Sequence, residues 1–241
     1  MFDLTSFSLR DMTECGAVLR RLGSGAGSME DVANRIVRFL FEQGVDRQTG
    51  EKCCALVRFF KTHAYEGLDP KLREFARRML GPIPDQPDMK CLTLLASAGV
   101  QTEWNVRQQS AGHQAIPLAS PEMVIRFPMI SQLVRQFGLE INTVLQPAPE
   151  LMVDLQQKTF NVFHVEQAVG SPFVPAQREF VIPFGVQSVL GFGGMLPSGN
   201  LFAVILFSKV HIPRETADLF KTLSLSVKAA LLPLVESAVF A

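Results

Sequence analysis

The chain lacks the features of a secreted, membrane-spanning or nucleic-acid-binding protein. Its longest uninterrupted apolar stretch, at residues 201–207, is far shorter than the roughly 20 residues that cross a bilayer. The N-terminus shows no basic segment followed by an apolar one, so no secretory signal is predicted. Basic and acidic residues balance at 23 each, which leaves no net field to attract nucleic acid or an anionic membrane. These absences predict a cytoplasmic protein with neither a nucleic-acid nor a membrane partner.

Cysteine is scarce, and two of the three aromatic residue types are nearly missing. The four cysteines, Cys15, Cys53, Cys54 and Cys91, form no CxxC pair, and adjacent cysteines do not easily bridge each other. Reduced, buried thiols are therefore predicted. One tyrosine and one tryptophan stand against 19 phenylalanines, so aromatic surface is expected to fill an interior or line an apolar cavity.

Capping residues predict three helices in the first part of the chain. Ser28, Asp69 and Ser120 each precede an apolar stripe with helical spacing. Pro128 is expected to kink the third helix, and Gly138 to end it.

Two further helices are expected near the ends of the chain. A short leading helix at 9–22 precedes the flexible joint GSGAGS at 23–28. The longest helix, at 215–232, carries a heptad-like apolar seam of Phe220, Leu223, Val227, Ala230 and Leu234. This seam predicts a surface on which a second copy packs to form a homodimer.

Strand signals alternate with these helices. Apolar, β-rich runs predict strands at 53–60, 90–97, 139–145, 159–166, 187–196 and 201–208. The last two runs are joined by Pro197-Ser198-Gly199-Asn200, which predicts a hairpin, and residues 81–88 read as a rigid loop. The order predicts an α+β fold, an antiparallel sheet with helices packed on its face and ends and a long C-terminal helix.

The segment 180–232, with its glycine-containing strand, hairpin and closing helix, resembles the end of a GAF-like domain. The whole chain is similar to the GAF/PAS-like N-terminal sensory regions that lie upstream of PAS and histidine-kinase modules in bacterial signalling proteins. The resemblance implies an N-terminal helical extension at 1–27 and a GAF-like sensor domain at 28–241. It also implies a role in two-component signal transduction, with a downstream kinase or PAS module as partner.

A ligand pocket is expected on the sheet, because phenylalanine is abundant and the strand GFGG at 191–194 gives room for close approach. The chain carries no recognisable catalytic motif, so a non-catalytic domain is predicted that binds a small apolar ligand and relays the event through its terminal helices. Strand alternation leaves half of the candidate ligand-binding residues facing away; they are Phe160, Val162, His164, Leu190, Phe192, Met195, Phe202 and Val204.

Three alternatives remain open. His164 lies on an apolar strand face, which is compatible with an axial haem ligand in a gas or redox sensor. A thiol enzyme acting on oxidised methionine would use Cys53, Cys54 or Cys91. A structural dimerisation domain would have no pocket at all.

Overall fold

The structure, a computed structural model, describes residues 1–81, 88–147, 160–235 and 239–241. Its strands are β1 (Cys54–Ala64), β2 (Lys90–Gly99), β3 (Ala115–Leu118), β4 (Phe163–Val165), β5 (Ser188–Met195) and β6 (Leu201–Ser208). Its α-helices are α1 (Leu9–Arg21), α2 (Met29–Gln43), α3 (Pro70–Leu80), α4 (Pro121–Ile125), α5 (Pro128–Gln136), α6 (Ile141–Leu145) and α7 (Arg214–Leu231).

The described strands form one antiparallel sheet in the order β3-β2-β1-β6-β5-β4. The two central strands pair with Val57 opposite Leu206 and Phe59 opposite Val204. Helices lie on the faces of this sheet, and the last and longest of them follows the β5–β6 hairpin. The predicted α+β class is therefore confirmed, and the arrangement is consistent with a GAF-like fold.

One face of the sheet is covered by α2 and α7, and α1 packs against α7 in the same core. Phe220 of α7 lies at the centre of this layer, with its ring centroid 5.3 Å from that of Phe192 and 5.0 Å from that of Phe7. Phe59 and Phe202 stack beneath it on neighbouring strands, 6.0 Å apart. These contacts join the helices and the sheet in a single apolar core.

The apolar seam of α7 is buried within the chain itself. Phe220, Leu223, Val227, Ala230 and Leu234 are all buried in the core that α7 shares with α1 and the sheet. The seam is therefore not a surface for a second copy, and the part of the prediction that placed a dimer contact there is wrong. The reason is that a helix lying on a sheet needs the same three-and-four spacing as a helix in a coiled coil.

The opposite face of the sheet is covered by short elements. Helices α4, α5 and α6, together with a π-helical turn at Gln177–Val181, pack over residues such as Leu56, Phe60 and Ile205 in a second apolar core. This layer is less continuous than the first. In the described part of the chain, no helix is both long and apolar enough to span a membrane.

The N-terminal segment 1–27 belongs to the first core. Leu4 and Leu19 are fully buried there, and a Cβ added to Gly23 would overlap the backbone of Ala230. The predicted extension thus packs against the final helix and shares its core with the rest of the chain.

The predicted helix caps are present. The side chains of Ser28, Asp69 and Ser120 accept hydrogen bonds from backbone N–H groups three residues later, at 3.1, 3.0 and 3.3 Å. Each bond satisfies one of the backbone donors left unpaired at a helix start. Pro128 does interrupt the third of these helices, dividing it into α4 and α5.

Three strand assignments differ from expectation. Residues 139–145 were expected as a strand, but Ile141–Leu145 is a short helix, because so short an apolar run does not distinguish the two structures. The strand expected at 159–166 is limited to Phe163–Val165, and residue 159 lies outside the described chain. Ala115–Leu118 is an unexpected edge strand, where Pro117 is tolerated. Most of the loop predicted at 81–88 lies outside the described residues.

Replacing Phe220 by alanine should destabilise the protein by about 3–5 kcal/mol, since the ring is fully buried and contacts Phe7 and Phe192. The matched control is Leu225→Ala on the same helix, where the side chain is 44% exposed and the expected change is within about 0.5 kcal/mol. Urea denaturation followed by circular dichroism measures both. Equal losses in the two variants would contradict the docking of α7.

Candidate ligand-binding cavity

A cavity of about 630 Å³ lies between the sheet and the layer of short helices. This volume is within the range of roughly 300–1,000 Å³ that is usual for small-molecule sites. Its floor is formed by side chains of the sheet, namely Leu56, Arg58, Phe60, Leu92, Ile116, Leu118, Leu201, Ala203, Ile205 and Phe207. Its roof is formed mainly by α5, α6 and the residues around them, including Val124, Phe127, Met129, Ile130, Leu133, Val134, Ile141, Val144 and Leu145.

The eight residues that sequence patterns predicted as ligand-binding do not line this cavity. Five of them are packed in the core beneath α1, α2 and α7: Val162, Leu190, Phe192, Phe202 and Val204. Phe160 and Met195 belong to the core on the cavity side but contribute no surface to the cavity. Side chains therefore fill the space on the sheet face beneath α2 and α7, where the pocket was expected. Ligand binding by these residues stays a prediction.

The glycine-rich strand is a site of close packing. A Cβ added to Gly191 would lie 2.8 Å from Cδ1 of Ile205 and 3.1 Å from Cβ of Phe163. A Cβ on Gly194 would lie 2.9 Å from the ring of Phe160. The glycines therefore admit neighbouring side chains where the sequence pattern had suggested room for a ligand.

Arg58 is the one strongly polar side chain on the floor of the cavity. It lies on the central strand β1, between Leu56 and Phe60 on the same face. Its Nη2 donates to Oγ of Ser110 at 3.1 Å, and its buried Nε has no acceptor among the residues that the structure describes. Burial lowers the pKa of the Arg58 guanidinium to about 10.

One end of the cavity is closed by the loop between β2 and β3, residues 100–114. Ser110 is buried and donates from Oγ to the Gly112 carbonyl oxygen at 2.6 Å, and Gln114 donates from Nε2 to the Ser110 carbonyl oxygen at 2.6 Å. His113, which also lines the cavity, adopts a left-handed backbone with φ of 64°. Burial, and secondarily the charge of Arg58, lowers the pKa of His113 below its ordinary value.

An aromatic cluster links this loop to the π-helical turn. The Trp104 ring centroid lies 5.5 Å from that of Phe180 and 4.6 Å from that of Phe184. Phe180 in turn contacts Phe207 of β6 edge-to-face at 5.1 Å. Trp104 is the only tryptophan of the chain and lines the cavity, so its fluorescence reports directly on this wall.

Nε2 of His164 is engaged by the backbone and does not face the cavity. Its Nε2 lies 2.9 Å from the carbonyl oxygen of Ile212, within hydrogen-bonding distance, and the side chain is not among those that line the cavity. Burial lowers the pKa of His164 below its ordinary value. Within the described residues, no group of three or more His, Cys, Asp or Glu side chains is arranged to hold a metal ion. The haem alternative at His164 stays a prediction, and its Nε2 would first have to leave the Ile212 carbonyl oxygen.

All four cysteines are free thiols in apolar surroundings. Burial raises the pKa of Cys15 and of Cys91 to about 12, and it raises the pKa of Cys53 and of Cys54 as well. Since the thiolate is the reactive form, these residues are poor nucleophiles at neutral pH.

Sequence reasoning missed Arg58 and the residues around it. The available signal was a single charged residue within the run CCALVRFF, which is otherwise apolar on both faces. A lone arginine in a central strand is unusual, because charged side chains are seldom buried without a partner.

Two buried arginines should respond in opposite ways to replacement by methionine. Folding disfavours the charge of Arg58 at every pH below about 10, so Arg58→Met should leave the free energy of unfolding unchanged or raise it. Arg107 forms a bidentate ion pair with Glu30, at 2.6 and 2.9 Å, and Arg107→Met should cost about 3–5 kcal/mol by leaving a buried carboxylate alone. Urea denaturation tests both; a large loss in Arg58→Met would show that this guanidinium stabilises the fold.

No family model matches the chain, and no curated protein matches it either. The features that bear on function are therefore the cavity, the arginine on its floor and the loop at one end of it.

Proposed function

We propose that this protein is a non-catalytic sensory domain that binds a small, largely apolar ligand in the cavity and relays binding through its terminal helices. The single observation that carries the proposal is the cavity itself. Its walls come from two continuous apolar surfaces, the sheet on one side and α5 and α6 on the other. A site of this shape gains affinity by removing apolar ligand surface from water.

The proposed relay runs through the β2–β3 loop. This loop supplies Trp104 and Ser110 to the cavity, and between them it carries Arg107, which reaches the other side of the sheet edge. Arg107 pairs with Glu30 in the first turn of α2, and both side chains are under 10% exposed, at 9% and 8%. A ligand that moves the loop must therefore also disturb the start of α2.

The same ion pair contacts the C-terminal residues 239–241. The backbone N–H of Ala241 donates to Oε2 of Glu30 at 3.2 Å, and the backbone N–H of Glu30 donates to the Val239 carbonyl oxygen at 2.9 Å. The Arg107 guanidinium lies 5.2 Å from the centre of the Phe240 ring. Glu30 thus joins the cavity loop, α2 and the terminal segment, which supports a relay to a neighbouring module.

The wider context of the proposal follows from the GAF/PAS-like resemblance. The protein would act in the cytoplasm as part of a bacterial two-component system. Its partner would be a downstream histidine kinase or PAS module, and it would form a homodimer. Because the α7 seam is buried, the dimer would have to use another surface, and the exposed apolar side chains of Leu225 and Leu232 on and beyond α7 offer one candidate.

Binding in the cavity is tested with the neutral fluorescent probe N-phenyl-1-naphthylamine. The wild-type protein should bind it with enhanced probe fluorescence, whereas Ile130→Trp, which adds a bulky ring to a lining position, should weaken binding at least about tenfold. Ile125→Trp is the matched control on neighbouring α4, where the side chain is 60% exposed and the change should stay under about twofold. Absence of binding to the wild-type protein would overturn the proposal.

The relay is tested by hydrogen exchange with the same probe. Bound probe should slow amide exchange both in the β2–β3 loop and in the first turn of α2. In Arg107→Lys, which keeps the charge but loses the two-pronged geometry, the loop should still respond and α2 should not. Arg35→Lys, on the exposed side of α2, is the control and should behave like the wild type. A response of α2 that survives Arg107→Lys would refute this route.

A further inference from the structure

Arg58 carries a positive charge into the cavity with little to balance it. Of its five N–H donors, one is used by Ser110 Oγ, and the buried Nε has no acceptor in the described part of the chain. Neither of the other charged lining residues, Glu103 and Arg126, pairs with it; both are exposed. A half-buried guanidinium whose Nε is fully buried is costly unless something pairs with it.

A second buried polar atom without a partner belongs to the neighbouring strand β2. Ser97 is the cross-strand partner of Arg58 in the pairing of β1 with β2, and directly opposed residues point to the same face of a sheet. Oγ of Ser97 is buried and, like Nε of Arg58, has no hydrogen-bond partner within the described residues. Ser97 does not itself line the cavity, so Arg58 is the residue that brings an unsatisfied hydrogen-bond donor to it.

We propose that the ligand is an apolar molecule with a terminal carboxylate, and that this carboxylate binds Arg58. The inference rests on the proposed function, because it names the chemical class of the ligand for the same cavity. The planar guanidinium is matched to the two oxygens of a carboxylate. The remaining walls, formed by residues such as Leu92, Ile116 and Leu133, would cover a hydrocarbon chain.

The cavity lining offers one positive charge away from its exposed rim, which favours a ligand with a single negative charge. Arg58 is the only fully ionised basic group at the buried end of the described lining, since Arg126 is exposed and the pKa of His113 is lowered. A monocarboxylate would neutralise Arg58 without introducing a second charge that the apolar walls cannot solvate. A medium-chain fatty acid has this combination of one carboxylate and an apolar body.

The test compares two ligands that differ only in the head group, dodecanoate and dodecanol, by displacement of N-phenyl-1-naphthylamine and by Trp104 fluorescence. The wild-type protein should bind dodecanoate at least about tenfold more tightly than dodecanol. In Arg58→Met this preference should disappear while dodecanol still binds. Arg126→Met, the control on the exposed arginine, should keep the preference.

The outcomes separate this inference from the proposed function. Equal binding of the two ligands to the wild type, or a carboxylate preference that survives in Arg58→Met, overturns the head-group assignment and leaves the sensory cavity intact. Failure of both ligands and of the probe to bind overturns both proposals. Near-ultraviolet circular dichroism verifies that Arg58→Met is folded, and Arg58→Lys, which keeps the charge without the planar fork, should retain only part of the preference.

Discussion

Burial of β1 and β6 on both faces is the constraint on which the rest of the structure depends. Because successive side chains of a strand point to opposite faces, each of these strands supplies two separate cores. Val57 and Phe59 meet the layer of α1, α2 and α7, whereas Leu56 and Phe60 meet the layer of short helices. The first layer consists of three long helices that fill their face, and the second consists of short helices and loops that leave a cavity.

The helices with recognisable capping residues, and the hairpin with its turn residues, could be predicted from the sequence. Caps at Ser28, Asp69 and Ser120, and the turn at 197–200, placed helices and the hairpin to within a few residues. Elements whose identity depends on tertiary contact could not be predicted. Strand β3 contains a proline and exists because it adds to the edge of β2, and α6 is too short to show a helical period.

The position of the cavity was not accessible to the same reasoning. Alternation shows which residues of a strand share a face, but a strand that is apolar on both faces does not reveal which of them lies under long helices. Leu190 and Phe192 were chosen for their glycine-rich strand, yet Phe192 packs on Phe220, while Leu201 and Ile205 of the next strand line the cavity. Arg58, the single charged residue in an otherwise apolar strand, was the better indicator of where the cavity lies. A residue that breaks the local pattern of a strand is expected at functional sites.

The arginines Arg58 and Arg107 differ in how completely they are paired. Arg107 forms a bidentate pair with Glu30 and holds the β2–β3 loop to α2, whereas Arg58 has no acidic partner among the described residues and its Nε has no acceptor there. Both are connected to the same loop, because Ser110 accepts from Arg58 three residues after Arg107. An occupant that only fills the apolar part of the cavity leaves the Arg58–Ser110 bond in place. A carboxylate on the proposed ligand would instead pair with donors of Arg58 that Ser110 leaves free, and would do so next to the loop residue that the guanidinium already contacts.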